Sequence, residues 1–160
     1  MKAYDKIDWD FLRMALIQIG IRWEATNWIM GCVSSANYVV LINGEPSEFF
    51  KGKRGLRHGC PLSPILFLLI MEGLSRLIQK AYAEGLLSAV KISYAIKIKH
   101  LLLEDNVLIM RIGTLAEWSV YKEILDLFCA TTCMLLSESK SRFLFEGVEE
   151  EKFEPIQLLF

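Results

Sequence analysis

The stretch Arg54-Gly55-Leu56-Arg57-His58-Gly59-Cys60-Pro61-Leu62-Ser63-Pro64 constrains this chain more than any other. It is polar and cationic, glycines punctuate it at 55 and 59, and prolines stand at 61 and 64. Proline fixes φ and carries no N–H, so a central strand cannot run through this end and a helix can start there. Ser63 is placed to cap such a helix, with Pro64 at its first position. Beyond Pro64 the chain is apolar at helical spacing, through Phe67, Met71, Leu74, Leu77, Ile78 and Ala81 to Gly85. The first two turns of this helix are apolar nearly all round, which predicts burial on several sides. A polar loop feeding a long buried helix is therefore the centre of the expected fold.

The flanks supply both helices and hairpins. Asp8 can cap a helix running to about Ile19, with Gly20 as its stop and Phe11, Leu12, Ala15, Leu16 and Ile19 as its apolar stripe. A second helix is predicted from Arg22 to Ser34, burying Trp28, Ile29, Cys32 and Val33. Tyr38 to Ile42 reads as a strand. Asn43-Gly44 then forms a hairpin turn, since both residues tolerate positive φ, and Phe49 and Phe50 lie on the return. Val90 to Ile92, Ile96 to Leu103 and Val107 to Ile112 read as strands, the last two joined at an acidic tip, Glu104-Asp105-Asn106. Thr114 with Glu117 makes a capping box for a helix to about Cys133, with Trp118, Tyr121, Leu125 and Phe128 inward. A short strand, Phe143 to Phe145, and a helix after Gly147 complete the order. Mixed helices and hairpins make the fold class α+β.

Composition narrows the function classes. At 160 residues the chain is one domain or part of one. Its 53% hydrophobic share and mean hydropathy of +0.33 are high for a domain in water. The longest clean apolar run, Ile65 to Met71, falls short of the ~20 residues a bilayer needs, so no membrane span is expected. Charges at Lys2 and Asp5 argue against a signal peptide. A net charge of −1 and a pI near 6.1 disfavour a wholly basic nucleic-acid binder. The charge is uneven, however. Lys51, Lys53, Arg54 and Arg57 cluster without an acid, whereas Glu149, Glu150, Glu151 and Glu154 make the end of the chain acidic. Cys32, Cys60, Cys129 and Cys133 include no Cys-x-x-Cys pair, which removes zinc-ribbon and thioredoxin-like readings and points to reduced thiols. His58 with Cys60 gives too few ligands for a metal.

Three arrangements could carry chemistry: Lys2-Ala3-Tyr4-Asp5, the loop Arg54–Pro64, and the tip Leu103-Glu104-Asp105-Asn106. A carboxylate on a tight turn between buried strands is rigidly held, and magnesium takes such oxygen ligands together with substrate phosphates. Lys51, Lys53, Arg54 and Arg57 suit phosphate contacts, and glycines at 55 and 59 would let backbone approach a nucleotide closely. Taken singly, a solvated turn and a solvated surface loop are the commoner readings.

Taken together, these segments resemble one family. Arg54 to Pro64 is similar to the Arg-Gly-Leu-Arg-Gln-Gly-Asp/Cys-Pro-Leu-Ser-Pro stretch, motif B, of LINE-type (non-LTR) reverse transcriptases, with His58 where that family has Gln. Lys2 to Trp9 resembles the tail of motif A. Trp28-Ile29-Met30, Cys32-Val33-Ser34, Val40 to Gly44 and Glu72 to Leu77 resemble the plant branch of the family. His100 to Asn106 sits where motif C, aromatic-Ala-Asp-Asp, belongs, and Ser139-Lys140-Ser141 resembles the end of motif D. The resemblance thus treats residues 1–160 as a partial reverse transcriptase domain, from the motif A tail through motif D.

That resemblance implies a partial palm and fingers, with an antiparallel sheet (the motif C hairpin) packed by helices. It implies two-metal nucleotidyl transfer with Mg2+, an RNA template, a DNA primer, dNTPs and an intracellular setting. Asp105 takes the place of the first motif C Asp, a catalytic metal ligand; Asn106 replaces the second, Glu104 the Ala and Leu103 the aromatic. The motif A Asp would fall two positions before Met1. Tyr4 takes the position under the incoming sugar. Arg54, Arg57 and Gly59 fall in the loop that contacts template and nucleotide, and Lys140 joins them. Loss of a metal-binding carboxylate predicts no polymerase activity from this chain. The alternative is a non-catalytic RNA- or DNA-binding remnant using the basic loop Lys51–Arg57. A palm sheet lacking one of its strands would expose an apolar edge and favour aggregation.

Overall fold

The computed structural model describes residues 3–110, 114–144 and 156. The chain forms two compact units, one of Met1–Ile70 with Thr131–Met134, the other of Met71–Ala130 with Leu135–Phe160.

In the first unit, a 3-10 turn, Ala3–Lys6, leads into helix α1, Trp9–Gln18. The Asp8 carboxylate accepts from the N–H of Phe11 and closes the first turn of α1 as predicted. Gly20, at φ +93°, comes just after its end. α1 buries Leu12 and Leu16 and packs against helix α2, Trp23–Ser34. Arg13 ties the two together: its Nη1 donates to Asn27 Oδ1 at 2.6 Å, and its guanidinium lies 5.4 Å from the centre of the Trp23 ring.

The buried face of α2 differs from the expected one. Thr26 and Met30 are buried and Ile29 and Val33 half-buried, whereas Trp28 is 75% exposed and Cys32 is also outside. The apolar residues of α2 cover more than one face, so helical spacing alone admits either stripe. Packing on α1 selects the one that carries a threonine.

Two short hairpin ladders come next. Strand β1, Asn37–Tyr38, pairs antiparallel with β4, Phe50–Lys51, and within them β2, Leu41–Ile42, pairs with β3, Glu45–Pro46. The predicted strand Tyr38–Ile42 is thus split, since Val39 and Val40 belong to neither ladder, and Phe49 precedes β4. Asn43 and Gly44 do turn the chain, with φ of +52° and +89°.

Helix α3, Leu62–Ala83, starts earlier than expected, and Ser63 is not its cap. The Ser63 hydroxyl donates to the carbonyl of Arg57 instead. α3 is long and apolar enough to cross a membrane by length and composition. Leu66, Phe67, Ile70, Met71, Leu74, Ile78 and Ala81 form a buried stripe along it, which is how a core helix is used. Its first turns are not buried all round: Ile65 and Leu68 are 57% and 59% exposed.

The second unit holds residues 71–83 of α3, two further hairpins and helix α4, Leu115–Thr132, up to residue 130. Strand β5, Val90–Lys91, pairs with β6, Lys97–Ile98; β7, His100–Leu103, pairs with β8, Asn106–Ile109, in the register His100↔Ile109 to Leu103↔Asn106. Thr114 and Glu117 form the expected box, with the Thr114 N–H and hydroxyl both donating to Glu117 Oε2. Glu117 Oε1 accepts from the N–H of Ser88 at 2.6 Å as well. α4 turns Tyr121, Ile124, Leu125 and Phe128 into the core, with Trp118 half-buried against Phe143. Residues 143 and 144 are not in a strand; the rest of that predicted strand, and the helix expected after Gly147, lie outside the described residues apart from Ile156.

The class is α+β, in agreement with the sequence. The antiparallel hairpin expected around the acidic tip forms as β7–β8, one of four separate two-stranded antiparallel ladders among the described residues.

Candidate functional site

The site grows from the way the loop 54–63 is sewn to the turn at 3–6. The N–H of Leu56 donates to the carbonyl of Tyr4 and the N–H of Gly55 to that of Ile7, both at 2.7 Å. Trp9 closes the same seam, its indole N–H donating to the Gly55 carbonyl at 2.8 Å. At this seam Gly55 has φ +88°, and a Cβ there would lie 2.8 Å from the Asp5 carbonyl oxygen. The sequence suggests that Gly55 admits a nucleotide; the close approach it permits is to the chain's own backbone. Gly59 is different. It is exposed, at φ +79°, with nothing within 4 Å of a would-be Cβ.

The sewn segments border an open hollow of about 360 Å³, lined by Tyr4 and by residues of the loop from Arg57 to Pro64. The Tyr4 ring stacks on Phe67 of α3, with centroids 4.6 Å apart and planes at 9°. It also meets the His58 ring at 5.4 Å and 31°. His58 Nε2 lies 2.9 Å from Asp5 Oδ1. Cys60 lines the same hollow. The backbone N–H of Leu62 at the start of α3 holds its thiol below the ordinary range, helped by the N–H and hydroxyl of Ser63 and the charge of Arg57, against a smaller opposing effect of burial.

Three predicted site residues, Tyr4, Arg57 and Gly59, thus share one hollow. Arg54 lines a smaller one of about 210 Å³ with Asp5, Tyr38, Phe50 and Gly55. Asp105, Asn106 and Lys140 belong to the second unit. Asp105 sits at the β7–β8 turn after Glu104, which takes φ +52°. Asn106 starts β8, and its amide donates to Asp105 Oδ1 at 3.4 Å. Lys140 is exposed in a 3-10 turn, Glu138–Lys140.

The Asp5–His58 pair, Phe67 beneath Tyr4 and the Trp9 indole contact are not visible to sequence reasoning. Each joins residues distant in the chain, and the departure of His58 from Gln marks only the first of them.

Magnesium takes hard oxygen donors, and a pair of ions needs shared carboxylates. The tip offers the adjacent carboxylates of Glu104 and Asp105 and the Asn106 amide, which donates to Asp105. Among the described residues, no three His, Cys, Asp or Glu side chains gather around one point. This donor set does not fit a two-metal centre.

A family profile described as reverse transcriptase (RNA-dependent DNA polymerase) matches residues 1–156. An uncharacterized mitochondrial protein of Arabidopsis thaliana is 43% identical over 67 residues, or 41% of this chain. The chain spans about 55% of that relative's length. With nearly its whole length matched, and the loop and turn of the hollow inside the match, the chain belongs to the reverse transcriptase (RNA-dependent DNA polymerase) family.

Proposed function

We propose that this chain is a reverse transcriptase domain of LINE-type, non-LTR retrotransposon origin. It keeps a nucleotide- and template-facing hollow and lacks polymerase activity as a 160-residue chain. The observation that carries this reading is the hollow itself, which Tyr4 lines together with Arg57 and Gly59 of the motif B-like loop. In this role Tyr4 packs under the sugar of an incoming dNTP, Arg57 meets its phosphates, and the open backbone at Gly59 admits it. Arg54 and Lys140 take template or nucleotide phosphates. The inactivity stems from the tip. Asp105 would be the one motif C ligand, and Asn106, an amide, draws a dication less than the carboxylate it replaces. A primer-extension assay with an RNA template, DNA primer, dNTPs and Mg2+ tests this: no synthesis is expected, and Mg2+-dependent extension contradicts it.

A second reading, a non-catalytic RNA- or DNA-binding remnant, is favoured by one observation. Lys51, Lys53, Arg54 and Arg57 are all exposed, and among the described residues none is in an ion pair. Such cations release counterions from a nucleic acid, so affinity should fall steeply with salt. Lys53→Ala and Arg54→Ala should each flatten the log–log salt slope of single-stranded RNA binding by about 1. Unchanged slopes contradict it.

A further inference from the structure

His58 lines the hollow and pairs with Asp5, which lines the smaller hollow beside it, and neither reading uses that pair. The loop is anchored at its start by the Gly55 and Leu56 N–H groups and at its end by the Ser63 hydroxyl on the Arg57 carbonyl. Between those anchors lies the rim, residues 57–61. His58 reaches back from this rim to the 3–6 turn through its 2.9 Å contact with Asp5, and its ring meets that of Tyr4. Both partners are partly in water, at 47% and 41% side-chain exposure, so neither is fixed by burial. Within the rim the Cys60 N–H donates to the Arg57 carbonyl at 3.4 Å, and the His58–Asp5 contact adds a side-chain link from the rim to the turn that bears Tyr4.

We infer that His58 and Asp5 form a clasp that shapes the hollow for a nucleoside triphosphate, with His58 as a positioning residue. The inference rests on the nucleotide-binding reading above. The charge balance gives it a direction. Asp5 stands on the same turn as Tyr4 and repels an anionic ligand. His58 adds a donor to that carboxylate and lessens the repulsion. A Gln at 58, as in the LINE-type pattern, can also donate to Asp5; Ala cannot. Loss of the donor should weaken binding of a polyphosphate, and a side chain that restores the donor should recover it.

The test is calorimetric titration of the whole chain with dTTP, beside thermal melting. His58→Ala should weaken dTTP binding about tenfold, equivalent to about 1.4 kcal/mol. His58→Gln should stay within about threefold of the parent, and Asp5→Asn added to His58→Ala should recover most of the loss. A merely structural role for His58 would not give recovery through Asp5→Asn. Unchanged binding by His58→Ala, equal losses in His58→Ala and His58→Gln, or no recovery in the double variant would each overturn the clasp while leaving the hollow as a nucleotide site. No dTTP binding by the parent chain would overturn both.

Discussion

At the scale of single residues, the seam between turn and loop depends on a position with no side chain. Gly55 combines a left-handed φ of +88° with backbone 2.8 Å from where a Cβ would sit, and the near atom is a carbonyl oxygen that cannot swing away. Gly55→Ala should therefore lower stability by about 1–3 kcal/mol from backbone strain, with the clash in addition. Gly59→Ala, strained in φ but facing open space, should lower it less. Urea unfolding midpoints check the order, and equal shifts would contradict the seam. Both glycines stand out in the sequence, but nothing local separates one that faces its own backbone from one that faces a hollow. That distinction depends on Asp5, fifty positions away in the chain.

At the scale of elements, local signals are legible where one cause acts alone. Asp8 caps α1, Asn43-Gly44 turns its hairpin, and Thr114 with Glu117 opens α4, because each needs only neighbouring residues. The buried face of α2 is not legible in this way, because packing on α1 decides it. Met30 is 5% exposed, so Met30→Ala should destabilise by about 2–5 kcal/mol. Trp28→Ala, despite removing a larger side chain, should stay within about 0.5 kcal/mol, as exposed substitutions do. A large loss from Trp28→Ala in denaturant titrations would contradict this assignment.

The β7 strand carries a pH dependence of its own. His100 Nε2 lies 3.0 Å from Ser75 Oγ of α3, while its buried Nδ1 has no partner among the described residues. Burial pushes its pKa below the usual 6.5, the neighbouring Lys99 charge adds to this, and Glu72 opposes it. With the folded value depressed, the unfolded chain takes up a proton first as pH falls through 6.5. His100 should then lose its stabilising contribution between 6.5 and its lower folded value, and no further below that. Urea midpoints of the parent should drop relative to His100→Leu across that window. A constant difference between the two would contradict it.

At the scale of the whole molecule, the high apolar share of the sequence is only partly absorbed by the fold. Leu41, Phe49 and Leu103 remain mostly exposed on their hairpins. Two-stranded ladders leave strand edges unpaired, a common route to association. The helix–hairpin order and the α+β class are legible because hydrophobic periodicity reports them. The division into four ladders is not, since strand pairing depends on partners that periodicity does not name. Of the site, the sequence exposes the loop and Tyr4, whose residue types are distinctive. The hollow they share with His58, and the stacking of Tyr4 on Phe67, emerge only once α3 and the turn are folded together.

The central claim is that the Tyr4 hollow takes a nucleotide, and Cys60 reports on it directly. Its thiol lies in the hollow with a lowered pKa, whereas burial raises that of Cys129. Site-resolved alkylation of the whole chain, with and without dTTP, should show Cys60 reacting ahead of Cys129 and slowing saturably as dTTP is added, with Cys32 and Cys133 unaffected. Alkylation of Cys60 at the same rate at every dTTP concentration would contradict the account.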